Sequence, residues 1–346
     1  MTGTTPLRLR PGLLTAWRSP GRLQLGVGTG AHVLEGLTAA DELVVDALTA
    51  GADPTSLQRL AALRGGTPQR TRALVDALAS AGALDDSAPR AADARRSAPA
   101  ASSGRLARAC AVVVGASPTG RAVALGLAAA GTGTVLVEDE APVTGADVGP
   151  GAFCAGDLDL SRGAATARAL AHHHPAVRTR PPNTGPVRPD VVVLVASGAH
   201  DARRADPLVR EGVPHLGVLQ LGTSAVVGPL VRPGAGACLR CLDLHRTDRD
   251  PEWPRLLPQL AAPPGGPLRP EPPHLAALAA AVAVQQAVAQ LLGHDPAALD
   301  ATVELDLTGA LGVRPWSAHP ACGCTWADDL GEGLSDGWAG GAPALL

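Results

Sequence analysis

The chain has 346 residues, a length typical of about two domains, and 46% of its residues are hydrophobic while 18% are charged. Its formal net charge of −3 provides no electrostatic attraction for nucleic acid, and an aromatic content of 2% leaves few side chains on which bases could stack. Residues 1–6 lack the basic and then apolar pattern of a signal peptide. These properties exclude nucleic acid as the expected partner and predict a cytoplasmic protein.

The first 86 residues combine short extended segments with three helical patterns, and they predict a small α+β module of the winged-helix type. The predicted strands are Leu7–Leu9, Leu13–Trp17, Leu23–Val27 and a return strand at Leu84. A helix is predicted to begin after each of three capping residues, Thr38, Asp53 and Thr67, because their side-chain oxygens can accept from free backbone amides.

A stretch rich in Ala, Pro, Ser and Arg follows this module over residues 87–105. It has no hydrophobic periodicity, which is typical of a linker between two domains. Residues 331–346 are expected to form a C-terminal tail, so that the second domain covers residues 106–330.

The second domain alternates apolar strands with helices, which predicts a mostly parallel sheet of the Rossmann type. The parallel strands are expected at Ala109–Val114, Thr134–Glu138, Val191–Ala196 and Leu216–Leu221, and antiparallel strands at Val226–Arg232 and Thr302–Leu307. The helix predicted over His274–Leu292 is apolar on most faces but contains Gln285 and Gln286. It is therefore expected in the protein core or in a dimer interface, and not in a membrane.

Two pairs of cysteines in this domain have the spacing of zinc knuckles. Cys238 and Cys241 form a C-x-x-C motif, and Cys322 and Cys324 form a C-x-C motif. Four thiolates are the ligand set of a closed, tetrahedral structural zinc site. The alternatives are two disulfides or unrelated buried thiols, but a chain without a signal peptide seldom carries disulfides. The spacing thus predicts structural Zn²⁺ at these four residues.

The turn after the first parallel strand has part of the G-x-G-x-x-G pattern that binds nucleotide pyrophosphate. Gly115 and Gly120 are present, whereas Ser117 replaces the middle glycine and Pro118 removes a backbone donor. Glu138, at the end of the next strand, could hold a ribose hydroxyl. The alternative is a scaffold in which the glycines have no ligand.

Taken together, these segments resemble the ThiF/MoeB/ubiquitin-activating superfamily of adenylating enzymes over about residues 106–330. The resemblance depends on the Gly115 turn, Val135–Glu138, Asp157–Arg162, Gly228–Pro233 leading into Cys238 and Cys241, and His319–Cys324. It implies a domain that activates a carboxylate with ATP, often the C-terminal carboxylate of a small protein.

Several positions depart from the pattern that this resemblance implies. Arg162 stands where the superfamily has a phosphate-binding Lys, and its phosphate-binding Arg has no counterpart near Asp147–Gly151. Ser197–Ala199 stand where its magnesium-binding Asp is expected. Because adenylyl transfer depends on positioned cations, we expect no ATP or Mg²⁺ chemistry and no catalytic residues. An active adenylating enzyme is the alternative.

The N-terminal module resembles the PqqD-like elements that recognise leader peptides in ribosomal peptide pathways. Fused to a degenerate ThiF-like domain, it is similar to the leader-peptide-binding partners of YcaO cyclodehydratases. An exposed strand edge beside a helix can accept a peptide as an added strand. The resemblance places that edge at Leu23, Leu25 and Val27, and the groove wall at Arg70, Leu74 and Ala77.

DNA binding by the same module is disfavoured, because Asp76 opposes Arg70 and Arg72 on the third helix. The expected function is accordingly a cytoplasmic, zinc-stabilised scaffold that presents a precursor peptide to a YcaO-type enzyme, as a homodimer or heteromer. Besides an adenylating enzyme, an orphan structural or regulatory protein remains an alternative.

Other candidates carry weaker signals. His172–His174 are expected at an exposed helix end, Cys110 in the core, and Cys154 in a loop. The charged segment 243–263 is predicted to be a loop, either solvated or in contact with a partner.

Overall fold

The protein is described here by a computed structural model, which covers residues 6–10, 12–28, 31–85, 100–181, 188–261 and 270–325. The chain divides into two compact units, Met1–Gly104 and Arg105–Leu346. The predicted tail and residues 87–99 of the predicted linker lie outside the described residues. The end of that linker differs from the prediction, because helix α4 covers Ala100–Arg108.

Over residues 6–85, the described part of the first unit contains three helices and two small antiparallel sheets. Its strands are β1 Arg8–Leu9, β2 Thr15–Ser19, β3 Arg22–Leu25, β4 His32–Leu34 and β5 Leu84–Asp85. Its helices are α1 Ala39–Ala50, α2 Pro54–Ala62 and α3 Pro68–Ser80. β1 pairs with β5, and β2, β3 and β4 form a meander in that order. The expected α+β module is therefore present, with β4 as an additional strand that the sequence analysis did not predict.

The three predicted N-caps of this unit are confirmed. The side chains of Thr38, Asp53 and Thr67 accept hydrogen bonds from the first-turn amides of α1, α2 and α3. Each cap satisfies backbone donors that a helix leaves without an internal partner. The helices then bury one face against β3, with Leu48, Leu57 and Leu78 among the fully buried side chains.

The position of the predicted peptide-binding edge is wrong. β3 pairs with β2 on one side and with β4 on the other, so it is the central strand and has no free edge. Leu23 and Leu25 are 1% and 2% exposed and belong to the core, and only Val27, beyond the end of β3, is exposed. The resemblance placed a recognition strand here, but its two leucines form part of the core.

The second unit is built on a seven-stranded sheet. Its strands are β6 Cys110–Val114, β7 Thr134–Glu138, β8 Val191–Ser197, β9 His215–Gln220, β10 Ser224–Val231, β11 Ala301–Asp306 and β12 Leu311–Pro315. The sheet order is β12-β11-β10-β9-β8-β6-β7. Strands β7, β6, β8 and β9 are parallel, and β10 to β12 are antiparallel. The predicted α/β class and its antiparallel side are confirmed.

Six further helices belong to this unit: α5 Pro118–Ala129, α6 Arg162–His173, α7 Ala202–Arg210, α8 Leu239–Arg249, α9 Trp253–Leu260 and α10 Pro273–Leu292. α8 and α9 correct the prediction of a loop over 243–263. α10 is long and apolar enough to cross a membrane, but it packs on α5 and the sheet and buries Ala279, Ala283 and Ala287. It is a helix of the core, as predicted.

Candidate metal centre and nucleotide turn

The four predicted zinc ligands come together in the second unit. Cys238 is the N-cap of α8, Cys241 lies in the first turn of that helix, and Cys322 and Cys324 follow β12. The Sγ of Cys238 lies 3.7 Å from that of Cys241 and 3.5 Å from that of Cys322, and the Sγ atoms of Cys241 and Cys324 are 3.3 Å apart. All four sulfur atoms lie within 4.8 Å of one another.

These distances fit a tetrahedral metal and not disulfides. Zn–S bonds of about 2.3 Å place neighbouring sulfurs about 3.8 Å apart, whereas a disulfide requires about 2.05 Å. All four cysteines are free thiols. Val231, Ala237 and Leu242 pack around the sulfurs, and three of the four cysteines are buried. A donor set of four sulfurs in such a closed environment suits structural zinc, with no position left for substrate.

The thiols cannot all ionise without a cation. A hydrogen bond from the Cys238 thiol lowers the pKa of Cys241 to about 4. The same bond, together with burial, raises the pKa of Cys238, and burial raises the pKa of Cys322 to about 12. A metal ion would supply the charge that allows the remaining thiols to lose their protons.

Beside the cysteines, His245, Asp248 and His319 form a second group of potential ligands. Nε2 of His319 lies 2.9 Å from Oδ2 of Asp248, and Nδ1 of the same ring accepts from the backbone N–H of Ala321. Nε2 of His245 lies 3.0 Å from the carbonyl oxygen of Ser317. Both ring nitrogens of His319 are thus engaged, and the group acts as a hydrogen-bond network that holds the Cys322 segment against α8.

The two glycines of the nucleotide turn are required by close packing. Gly115 has φ +92°, and a Cβ there would lie 2.4 Å from the carbonyl oxygen of Val195 on β8. A Cβ on Gly120 would lie 1.9 Å from the carbonyl oxygen of Gly115. The glycine spacing therefore has a packing cause that is independent of any nucleotide.

Two backbone amides of this turn already donate hydrogen bonds to carboxylates of the protein itself. The backbone N–H of Ala116 donates to the Asp139 carboxylate at 2.8 Å, and that of Thr119 donates to the Glu271 carboxylate at 3.0 Å. Ser117 caps α5 by accepting from the Gly120 amide. In nucleotide-binding turns such amides face phosphate oxygens. Sequence patterns did not identify either carboxylate, because Asp139 lies 23 positions and Glu271 lies 152 positions from the amide that it accepts from.

Arg162, which the resemblance places at the phosphate-binding position, is already in an ion pair. Arg162, at the start of α6, is 3% exposed, and its Nη2 lies 3.1 Å from Oδ2 of Asp147. Asp147 is itself buried and accepts from the backbone N–H of Thr144. Glu138 is exposed at the end of β7, where its carbonyl oxygen accepts from the amide of Gly115. The structure thus brings Gly115, Gly120 and Glu138 together, with the charge of Arg162 already paired.

The predicted groove residues of the first unit have different environments. Leu74 is 6% exposed and belongs to the core, whereas Ala77 is half-buried. Arg70 is exposed, but its Nε donates to Asp41 at 2.8 Å and its Nη2 donates to the carbonyl oxygen of Gly36 at 2.6 Å. These bonds hold the start of α3 beside the end of β4.

The weaker candidates fall mostly where they were expected. Cys110 is buried in β6, and burial raises its pKa, which makes a nucleophilic role unfavourable. Cys154 is exposed. His172 and His173 lie exposed in the last turn of α6.

No family model and no curated protein sequence matches this chain. Solved structures do match it. E. coli MccB in complex with ATP has 16% sequence identity and a TM-score of 0.67, over 92% of this chain and 99% of that chain. The microcin C7 biosynthetic enzyme MccB in complex with N-formylated MccA has 15% identity, the same TM-score and the same coverage.

A heterocyclase in complex with substrate and cofactor has 16% identity and a TM-score of 0.60, over 93% of this chain but only 40% of that chain. Identities this low establish the fold alone. The second unit of this protein accordingly has a ThiF-type Rossmann-like fold, and the small sheet-containing module precedes it.

Proposed function

We propose that this protein is a zinc-stabilised, non-catalytic scaffold that binds the leader segment of a precursor peptide and presents it to a separate YcaO-type cyclodehydratase in the cytoplasm. The observation that carries the proposal is the occupied turn, in which Asp139 and Glu271 accept from the amides of Ala116 and Thr119. A nucleotide phosphate bound there would have to displace two carboxylates, and it would meet their negative charge.

The similar structures support a role in peptide modification. MccB is a microcin C7 biosynthetic enzyme that was solved with the N-formylated form of MccA, and the heterocyclase was solved with its substrate. This chain corresponds to 40% of the heterocyclase chain. We propose that the modifying activity comes from a separate partner enzyme, which would correspond to the rest of the heterocyclase chain.

For the peptide site, we propose the outer edge of β4 in place of the predicted edge at β3. Among the described residues, β4 pairs with β3 on one side only, and the Arg70 contact to Gly36 holds the start of α3 next to its end. Ala77 lies seven positions after Arg70, about two helical turns along the same face of α3. A peptide added to β4 as a further strand would therefore contact the face of α3 that carries Ala77.

The nucleotide part of the proposal is tested by titration calorimetry of MgATP into the zinc-loaded full chain. We expect no saturable heat up to millimolar nucleotide. Saturable binding followed by release of pyrophosphate with a carboxylate substrate would overturn the scaffold and establish an adenylating enzyme.

The peptide part is tested by selecting a displayed library of random peptides against the zinc-loaded full chain. We expect enriched peptides whose affinity falls at least 10-fold in Ala77→Glu, because the added charge lies in the groove. Ala79→Glu is the matched control, since Ala79 is exposed on the other side of the same helix. Failure to enrich any peptide, together with absent MgATP binding, would favour the orphan structural or regulatory protein.

One observation favours the adenylating alternative. Arg121, in the first turns of α5, stacks over Phe153, and its Nη1 is buried with no hydrogen-bond partner among the residues that the structure describes. A guanidinium in this position could contact a phosphate oxygen. Arg121→Met should leave peptide binding unchanged if the scaffold proposal is correct, and should abolish MgATP binding if the alternative is correct.

A further inference from the structure

A cavity of about 760 Å³ lies in the second unit, at the carboxyl ends of β8 and β9. Its lining includes Ser197 and Gln220 at those strand ends, and Trp253 and Leu260 from α9. Glu271, just before α10, completes one side of it. The volume is within the range of small-molecule sites, which combine apolar walls with a few fixed polar groups.

The carboxylate of Glu271 is held in one position. Its Oε2 accepts from both the backbone N–H and the hydroxyl of Thr119, at 3.0 and 2.7 Å. Thr119 is fully buried at the start of α5, so the carboxylate also lies at the positive end of the helix dipole. Both contacts use Oε2, and Oε1 accepts no hydrogen bond from the described residues, so it is available for a ligand.

A buried acceptor lies on the same wall. Gln220 is 1% exposed, and its Nε2 donates to the Thr119 hydroxyl at 2.6 Å. Its Oε1 has no hydrogen-bond partner among the described residues. Its accessible surface is below 1 Å², so a ligand donor could reach this oxygen only after the Gln220 side chain shifts. The Oε1 atom of Glu271 is therefore the acceptor that a donor group in the cavity would meet first.

The rest of the lining limits the kind of donor. Leu221, Trp253 and Leu260 provide apolar wall, and no Arg or Lys is among the described residues that line the cavity. A divalent metal needs more oxygen ligands than one carboxylate provides. An anion would meet the charge of Glu271 without a cation to offset it.

We propose that this cavity binds an organic cation, an alkylguanidinium or alkylammonium group with an apolar stem. The N–H donors would pair with Glu271, and the stem would lie against Trp253 and Leu260. The ligand therefore has the opposite charge to the nucleotide phosphate that this end of a Rossmann-type sheet usually receives. The inference uses only the second unit, and it stands whether or not the first unit binds a leader peptide.

The test is calorimetric titration of butylguanidinium and butylammonium into the zinc-loaded full chain, with valerate as the anionic probe of the same length. We expect saturable binding of the cations at millimolar concentration or below and no binding of valerate. In Glu271→Gln, which keeps an oxygen for Thr119 but loses the charge, we expect the affinity to fall at least 10-fold. Glu304→Gln is the matched control, because Glu304 pairs with Arg314 on the exposed edge of the sheet and does not line the cavity.

Thermal unfolding checks that each variant is folded. Leu260→Arg is a second variant that leaves Glu271 intact and adds a guanidinium to the wall, and it should abolish cation binding even if Glu271→Gln proves unstable. Three results would each overturn the proposal: equal binding of valerate, unchanged cation affinity in Glu271→Gln and Leu260→Arg, or no saturable binding of either cation at millimolar concentration.

Discussion

The metal centre and the nucleotide turn are both short motifs in the second unit, yet their outcomes differ. At the cysteines, the residues that the motif names are the ones that meet, with sulfur atoms 3.3 to 3.7 Å apart. At the turn, Gly115 and Gly120 are where the motif predicts, but Asp139 and Glu271 occupy the turn. A motif that contains all the ligands predicts the binding site. A motif that fixes only the backbone conformation does not predict which group the backbone amides will bind.

Among variants that test this comparison, we expect the largest loss of stability when a cysteine of the metal centre is replaced. Cys238→Ser should lose one equivalent of zinc and destabilise the second unit by on the order of 5 kcal/mol or more, because metal binding and folding are coupled in such sites. Elemental analysis and thermal unfolding measure both effects. Cys154→Ser is the control, since Cys154 is exposed and far from the cluster in sequence. Zinc retained at full occupancy in Cys238→Ser would contradict the four-sulfur site.

The next effect concerns the ion pair near the turn. Asp147→Asn should destabilise the second unit by about 3–5 kcal/mol, because it removes a buried carboxylate that pairs with the buried Arg162 guanidinium. Denaturant unfolding measures this loss. Asp159→Asn, at an exposed position, should change stability by less than about 0.5 kcal/mol. Equal stability of the two variants would show that Asp147 contributes nothing to the fold.

The first unit offers a comparison between a buried and an exposed residue of the predicted recognition strand. Leu23→Ala should destabilise this unit by about 2–5 kcal/mol, because Leu23 is 1% exposed. Val27→Ala, at a position that is 66% exposed, should be nearly neutral. Hydrogen exchange of peptides from the first unit measures the loss of its stability. If Leu23→Ala reduced peptide binding without changing stability, β3 would be a recognition strand after all.

The smallest effect is a dependence on pH. Burial alone would raise the pKa of Asp41, but hydrogen bonds from Arg70 and Thr38 lower it below its usual 3.8. The stabilisation is therefore present above about pH 4 and is lost as the pH falls through the lowered pKa. Asp41→Asn should cost about 1–2 kcal/mol at pH 7 and less at pH 3. An equal cost at both values would show that the charge of Asp41 is unimportant.

Local signals predicted most of the fold. Three helices begin where capping residues predict them, at Thr38, Asp53 and Thr67, because capping depends on residues within one turn. The strands β6 and β8 are also predictable from short runs of apolar residues, which are buried in the sheet. The order of strands in a sheet is not local. Nothing within Leu23–Val27 indicates that β4 pairs with its second side, and so the sequence suggested a free edge that is absent.

The candidate site follows the same rule. Cys238 and Cys241 are predictable because ligand spacing is part of the motif. Glu271 is not, because it stands among prolines and reaches Thr119 only through the folding of α10 onto α5. The helices α8 and α9 were missed because their charged residues and prolines resemble a loop, although Asp243 pairs with Arg246 one turn later.

The cysteine cluster has a consequence for chain integrity. Cys238 and Cys322 are 84 positions apart, so the metal would join two points between which α9, α10, β11 and β12 all lie. A single backbone cut anywhere within that interval would leave two fragments that zinc still holds together. The nicked protein would migrate as one particle under native conditions, and the pieces would separate only when a chelator removes the ion. In that respect the metal would act as a disulfide does, by joining two distant points of the chain.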